Sequence, residues 1–261
     1  MKKIIAILLL ATYAFSTDLI LGVVPQQSPL KLSKKWLIVT NYLKEQTGIN
    51  VVFKTERSIP NFEKELYNGK YDIAYMNPYH FVVANKEASF TAFIRAQKNI
   101  QGIVLSKEKK VDFSKENLKG KVFLFPAPNA FAATLLPKYE FKNKFDFDID
   151  KEAKVLYVNS HDSVYKGISR DIGYIGGGIN RTYNNFKNNN DKNKLNIVYK
   201  TAKYPSHPIA YHPRVKKEDI QKLQNAFLNM PKEIKSILSI KEFIKTNTAE
   251  YDVIRNLNVK K

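Results

Sequence analysis

Short apolar runs alternate with helix-patterned stretches along most of this chain, and that alternation restricts the fold more than any other property. Residues 19–24 read as a strand, 32–47 as a helix closed by Gly48, 51–53 as a strand, 59–67 as a helix closed by Gly69, and 73–75 as a strand. Within the first helix Leu32, Trp36, Val39 and Leu43 recur at helical spacing, so one face packs on a sheet. The closing glycines suit left-handed helix ends. Repeated βαβ units predict an α/β fold whose sheets are mostly parallel and flanked by helices.

A second series follows, with strands at 102–105, 122–125, 155–158 and 172–178 and helices near 130–136 and from His161. Residues 204–210 read as a return crossing, followed by helices at 217–228 and 231–238 and a C-terminal stretch through Ile254. Two similar halves, with the tail coming back to the first, predict two lobes around a cleft. Residues 17–96 and 206–261 form lobe 1, and 97–205 form lobe 2.

Residues 1–16 have Lys2 and Lys3, an apolar run from Ile4 to Ala11, and small residues at Ala14 and Ser16. This is the layout of a cleaved secretory signal peptide, the alternative being an N-terminal anchor. The absence of cysteine excludes disulfides, thiolate metal sites, a cysteine nucleophile and a lipidated cysteine. Export without a lipid anchor points to the periplasm. The formal net charge is +19, and removing Lys2 and Lys3 leaves +17. Such a balance favours anions, while Lys- and Asn-rich usage, as in 184–196, also spreads charge over solvated faces. The basic residues form no stripe interleaved with aromatics, so no nucleic acid partner is expected.

If each strand delivers its following loop to the cleft, the candidates can be named without knowing the ligand. Gln26, Gln27 and Ser28 follow the first strand, as ligand contacts or as exposed turn residues. Tyr75, Asn77 and Tyr79 surround the break at Asn77-Pro78, where a strand ends and a helix begins. Asn129, Ala130, Phe131 and Ala132 open a helix whose unpaired N–H groups offer an anion site, or are simply small residues needed for packing. His161, Asp162 and Ser163 open the next helix, His161 as a donor and its neighbours as contacts or caps. Gly176-Gly177-Gly178 lacks the Gly-Lys-Ser/Thr ending of a nucleotide loop. His161-Asp162-Ser163 holds the letters of a catalytic triad, but neighbours at a helix start diverge and form no relay. No paired carboxylates or metal-ligand spacing emerge, so no enzyme activity, cofactor or metal is expected.

In this order the loops resemble the phosphate/phosphite/phosphonate substrate-binding family of ABC transporters, a branch of the type II periplasmic binding proteins. The residues that carry the resemblance are Gly22-Val-Val-Pro-Gln-Gln-Ser28, Gly69-Lys-Tyr-Asp-Ile-Ala-Tyr-Met-Asn-Pro-Tyr79 and Phe125-Pro-Ala-Pro-Asn-Ala-Phe131 with Leu135-Leu136-Pro137. Ser160-His-Asp-Ser163 and His207-Pro-Ile-Ala-Tyr-His-Pro-Arg214 complete it. The resemblance implies two α/β lobes joined by a two-stranded hinge that close on a solute and dock on a membrane permease. It also marks departures. Ala130-Phe131-Ala132 stands where phosphonate-binding members carry Ser-Thr-Ser, and Ile59 where they carry an aromatic ahead of the second helix. Their two carboxylates for a substrate amine fall near Arg181 and on His207, so zwitterionic phosphonates are disfavoured. A simple oxyanion fits better, with His161, His207 and Tyr79 as donors.

The expected function is a monomeric periplasmic solute-binding protein that captures a small anion for an ABC importer. Competing expectations are a ligand-sensing accessory to a membrane signalling receptor, an enzyme acting on a small phosphorus ester, and a cationic surface-binding protein.

Overall fold

The computed structural model describes residues 18–259, so the signal peptide reading at 1–16 lies outside the described residues. The strands run, in chain order, β1 (Leu19–Val23), β2 (Val51–Thr55), β3 (Ile73–Tyr75), β4 (Thr91–Ala96), β5 (Ile100–Ser106) and β6 (Val122–Phe125). They continue as β7 (Lys154–Tyr157), β8 (Ile175–Ile179), β9 (Asn196–Tyr204), β10 (Pro208–Tyr211) and β11 (Phe243–Lys245). One sheet has the order β11-β4-β10-β3-β1-β2 and the other β7-β6-β8-β5-β9.

Both sheets are mixed, which corrects the expectation of mostly parallel ones. Pairings made through helical crossovers are parallel: β1 with β2 and β3, and β6 with β7 and β8. The strands fed by the crossings between sheets run the other way. β10 enters at the end where β3 delivers its loop, so it is antiparallel to β3, with Ile209 opposite Tyr75. For the same reason β5 is antiparallel to β8, with Gly102 opposite Ile179.

The first helix, Pro29–Thr47, starts with proline in its first turn and ends at Gly48 with φ 72°. Its buried face is Leu32, Trp36, Val39, Thr40, Tyr42 and Leu43, and the Trp36 ring lies 5.0 Å from that of Tyr75 at the end of β3. Each such side chain contributes about 1.5–3 kcal/mol when fully buried. The apolar cluster of the first sheet continues into Ile100, Phe131, Leu136 and Ile179, which belong to the second sheet and its flanking helices. The two halves therefore touch through apolar side chains, with the strand-end loops between them. Among the described residues no helix is long and apolar enough to cross a membrane.

Candidate functional site

Where β3 ends, Asn77 leaves the strand and caps the helix Pro78–Ala88, its Oδ1 accepting the His80 N–H at 2.8 Å. The same side chain donates from Nδ2 to the Asn129 carbonyl at 3.0 Å, a bond from one half to the other. A cavity of about 10 Å³ lies beside it, room for about one water. Gln26, Asn77, His161 and His207 supply its polar lining, and Val24, Ile59, Ile100 and Ile179 much of the apolar part. The remaining wall is Ala130, Phe131, Ala132 and Ala133. No carboxylate lines it among the described residues.

That last wall is a π-helical turn, Phe131–Leu135, leading into the helix Leu136–Phe145. The amides of Thr134 and Leu135 both donate to the Ala130 carbonyl, at 2.7 and 3.2 Å, and the Thr134 hydroxyl to the Ala127 carbonyl at 2.8 Å. The amides of Phe131, Ala132 and Ala133 come ahead of the first helical bond and carry the positive end of the turn. Glycine in the sheet lets the turn sit this close. A Cβ on Gly102 would lie 2.0 Å from the Ala132 carbonyl oxygen, and one on Gly177 1.8 Å from that of Ala133. Gly176, Gly177 and Gly178 thus lie within β8, where they seat neighbouring backbone and side chains.

Both cavity histidines are buried, His161 at 1% exposure and His207 at 3%. Burial, reinforced by the Arg181 charge, lowers the pKa of His161 to about 3. Burial followed by the charge of Arg181 lowers that of His207 well below the usual 6.5. Each is neutral at pH 7. His161 Nδ1 lies 3.2 Å from the Thr182 hydroxyl. His207 stacks on the Tyr75 ring at 5.3 Å.

Arg181 follows β8 and reaches across to the first half. It donates from Nη2 to Gln26 Oε1 at 2.6 Å and from Nη1 to the Tyr75 hydroxyl. With the carbonyl end of Gln26 held there, its Nε2 donates to His207 Nε2 at 2.9 Å. His207 accepts that bond, so its ring proton sits on Nδ1.

Of the sequence-derived candidates, Gln26, Asn77, Ala130, Phe131, Ala132, His161 and His207 share the central cavity, and Gln27 and Tyr75 line an adjoining one with Arg181. The other five lie outside both linings. Ser28 is an exposed helix cap, and Tyr79 packs half-buried against the first core. Asn129 donates to Glu63 at 3.0 Å, linking the halves again. Asp162 pairs with Lys31 at 2.5 Å, and the Ser163 amide donates to the Ser160 hydroxyl at 3.1 Å. His161, Asp162 and Ser163 thus serve three different partners, as their positions on a helix start predict. Arg181, Thr182 and Lys35 were not among the candidates. Arg181 alone left a trace in the sequence, through the departure noted near it, whereas Lys35 is one lysine among many.

The profile of the family described as ABC transporter, phosphonate, periplasmic substrate-binding protein matches residues 21–251. No curated protein matches the chain significantly. Among solved structures, PhnD1 from Prochlorococcus marinus, in complex with methylphosphonate, is similar at TM-score 0.84 and 19% identity, covering 93% of this chain and 97% of that one. The binding protein component of an ABC phosphonate transporter from Pseudomonas aeruginosa is similar at TM-score 0.81 and 17% identity, covering 93% and 85%. These likenesses show the two-lobed periplasmic binding protein fold. With the profile matching from Leu21 to Tyr251, the chain belongs to the family of periplasmic substrate-binding proteins of ABC phosphonate transporters.

Proposed function

We propose that this protein captures a small oxyanion, such as phosphate, phosphite or an alkylphosphonate, in the central cavity and presents it to an ABC permease in the inner membrane. The observation that carries the reading is the turn Phe131–Leu135, whose first amides precede its first helical bond, in the wall of a cavity lined by no carboxylate among the described residues. Helix-end amides complement negative charge without a charged side chain. Neutral His161 and His207, with Asn77 and Gln26, complete a polar lining that holds no counter-charge for an ammonium. Aminoalkylphosphonates would bury an unpaired cation there, at several kcal/mol.

A cavity of about 10 Å³ admits one water-sized group, so a tetrahedral oxyanion enters with the lobes slightly further apart. The bonds from Asn77 to Asn129 and from Arg181 to Gln26 favour the closed form, and the ligand shifts the equilibrium further by binding groups from both halves at once. On this reading the lobes divide at the two crossings, 97–99 and 205–207, between strands of different sheets. The ligand is, on this reading, bound and released unchanged, as in the substrate-binding family to which the chain belongs. Export with removal of residues 1–16 and action as a periplasmic monomer complete the proposal.

Thermal shift and calorimetry with phosphate, phosphite, methylphosphonate, 2-aminoethylphosphonate, sulfate and acetate test it. We expect saturable binding of a phosphorus oxyanion, and methylphosphonate at least about tenfold tighter than its amino analogue, a difference of about 1.4 kcal/mol. His161→Ala weakens the best hit while leaving the fold intact. No saturable response to any phosphorus oxyanion would overturn the reading.

A further inference from the structure

On the other side of Gln26 lies a second cavity, of about 30 Å³. Two cations line it from opposite lobes: Lys35, from the helix Pro29–Thr47, and Arg181, just after β8. Gln27, Trp36 and Tyr75 are among the other lining residues, and among the described residues no carboxylate is. Arg181 donates to two neutral acceptors, Gln26 Oε1 and the Tyr75 hydroxyl, and Lys35 Nζ reaches Gln27 Oε1 at 3.3 Å. Among the described residues neither cation has an ion-pair partner, and the carboxylate acting on Lys35, Asp162, is committed to Lys31 at 2.5 Å. Burial, then repulsion from Arg181, Lys31 and Lys187, holds the Lys35 pKa below its usual value.

Closing the lobes thus brings two like charges to one partly enclosed space and takes them partly out of water, which is unfavourable unless something negative lies between them. The cavity has room for about two waters, enough for a halide or for one acid group. We propose that the space between Lys35 and Arg181 is a second anion site, which takes one small anionic group as the lobes close. This deepens the reading above, since Gln26 lines both cavities and couples them. The group has two possible sources, a free inorganic anion or a second acid group on the captured ligand.

Trp36, the one tryptophan of the chain, lines this cavity and reports on it directly. Protein purified from the periplasm of an expressing host is titrated with chloride at constant ionic strength in gluconate, following Trp36 fluorescence. Methylphosphonate and phosphonoacetate are titrated separately by calorimetry. A saturable chloride response, lost in Lys35→Met and in Arg181→Gln, assigns the site to a free anion. If instead phosphonoacetate binds about tenfold tighter than methylphosphonate, and Lys35→Met abolishes that advantage, the ligand supplies the group. Methylphosphonate binding with neither effect would overturn the second site and leave the first reading standing. If no phosphorus oxyanion binds, the first reading fails, and the chloride titration still decides this site.

Discussion

Arg181 donates from Nη2 to Gln26 Oε1 at 2.6 Å, across a sequence separation of 155 residues, and this bond fixes which way the Gln26 amide faces. The amide nitrogen is then directed at His207, so a cation in one lobe sets the tautomer of a histidine in the other. Gln26→Glu keeps the shape and strengthens the bond to Arg181, but replaces the donor to His207 with an acceptor and adds a negative charge to the cavity wall. The gain at Arg181 and the loss at His207 oppose each other, so we expect a stability change in urea within about 1 kcal/mol and at least tenfold weaker methylphosphonate binding by calorimetry. Undiminished affinity would place the anion elsewhere.

The close seating of the π-helical turn on β8 gives a second prediction. Gly177→Ala puts a Cβ where the Ala133 carbonyl stands, and the turn must shift. Overpacking of this kind costs about 1–3 kcal/mol. Gly48→Ala is the comparison, since its Cβ meets nothing within 4 Å and the cost is only that of φ 72°, about 1 kcal/mol. Urea unfolding reads both costs. Only Gly177→Ala also loses anion binding, because it displaces the amides of Phe131–Ala133.

Stability should fall in acid for a specific reason. His161 and His207 are neutral when folded, with pKa values below the ordinary 6.5, so the unfolded chain binds more protons at lower pH. Their contribution is fully present above about pH 6.5 and is lost progressively as the pH falls towards about 3. Each histidine costs up to about 1.4 kcal/mol per pH unit in that window. His161→Gln should therefore unfold with a shallower pH dependence than the parent between pH 6 and 4. Parallel curves for the two would show that His161 is protonated in the folded state.

Asp162 makes a contrasting prediction. Its carboxylate pairs with Lys31, with side-chain exposures of 17% and 48%, and lies outside the cavity lining. An ion pair this accessible is worth about 0–1 kcal/mol. Asp162→Asn should change stability by no more than that, and should change anion affinity less than about threefold. A larger loss of affinity would mean that the Lys31–Asp162 link governs closure.

Features that depend on neighbours along the chain were legible from the residues alone. Hydrophobic spacing set the strands and helices, Gly48 the left-handed end of the first helix, and Asn77-Pro78 the turn from β3 into the next helix. Those local signals placed seven of the candidate residues at one cavity because strand-end loops converge wherever sheets face each other. Strand direction across the crossings, the commitment of Asp162 to Lys31, and the meeting of Arg181 with Gln26, Tyr75 and Lys35 emerged with the folded chain. Those contacts join residues more than a hundred positions apart, as in the 131 between Lys31 and Asp162. A charge carries no local mark of the partner it will meet, so in a chain rich in lysine the cations that face each other are hidden until the fold brings them together.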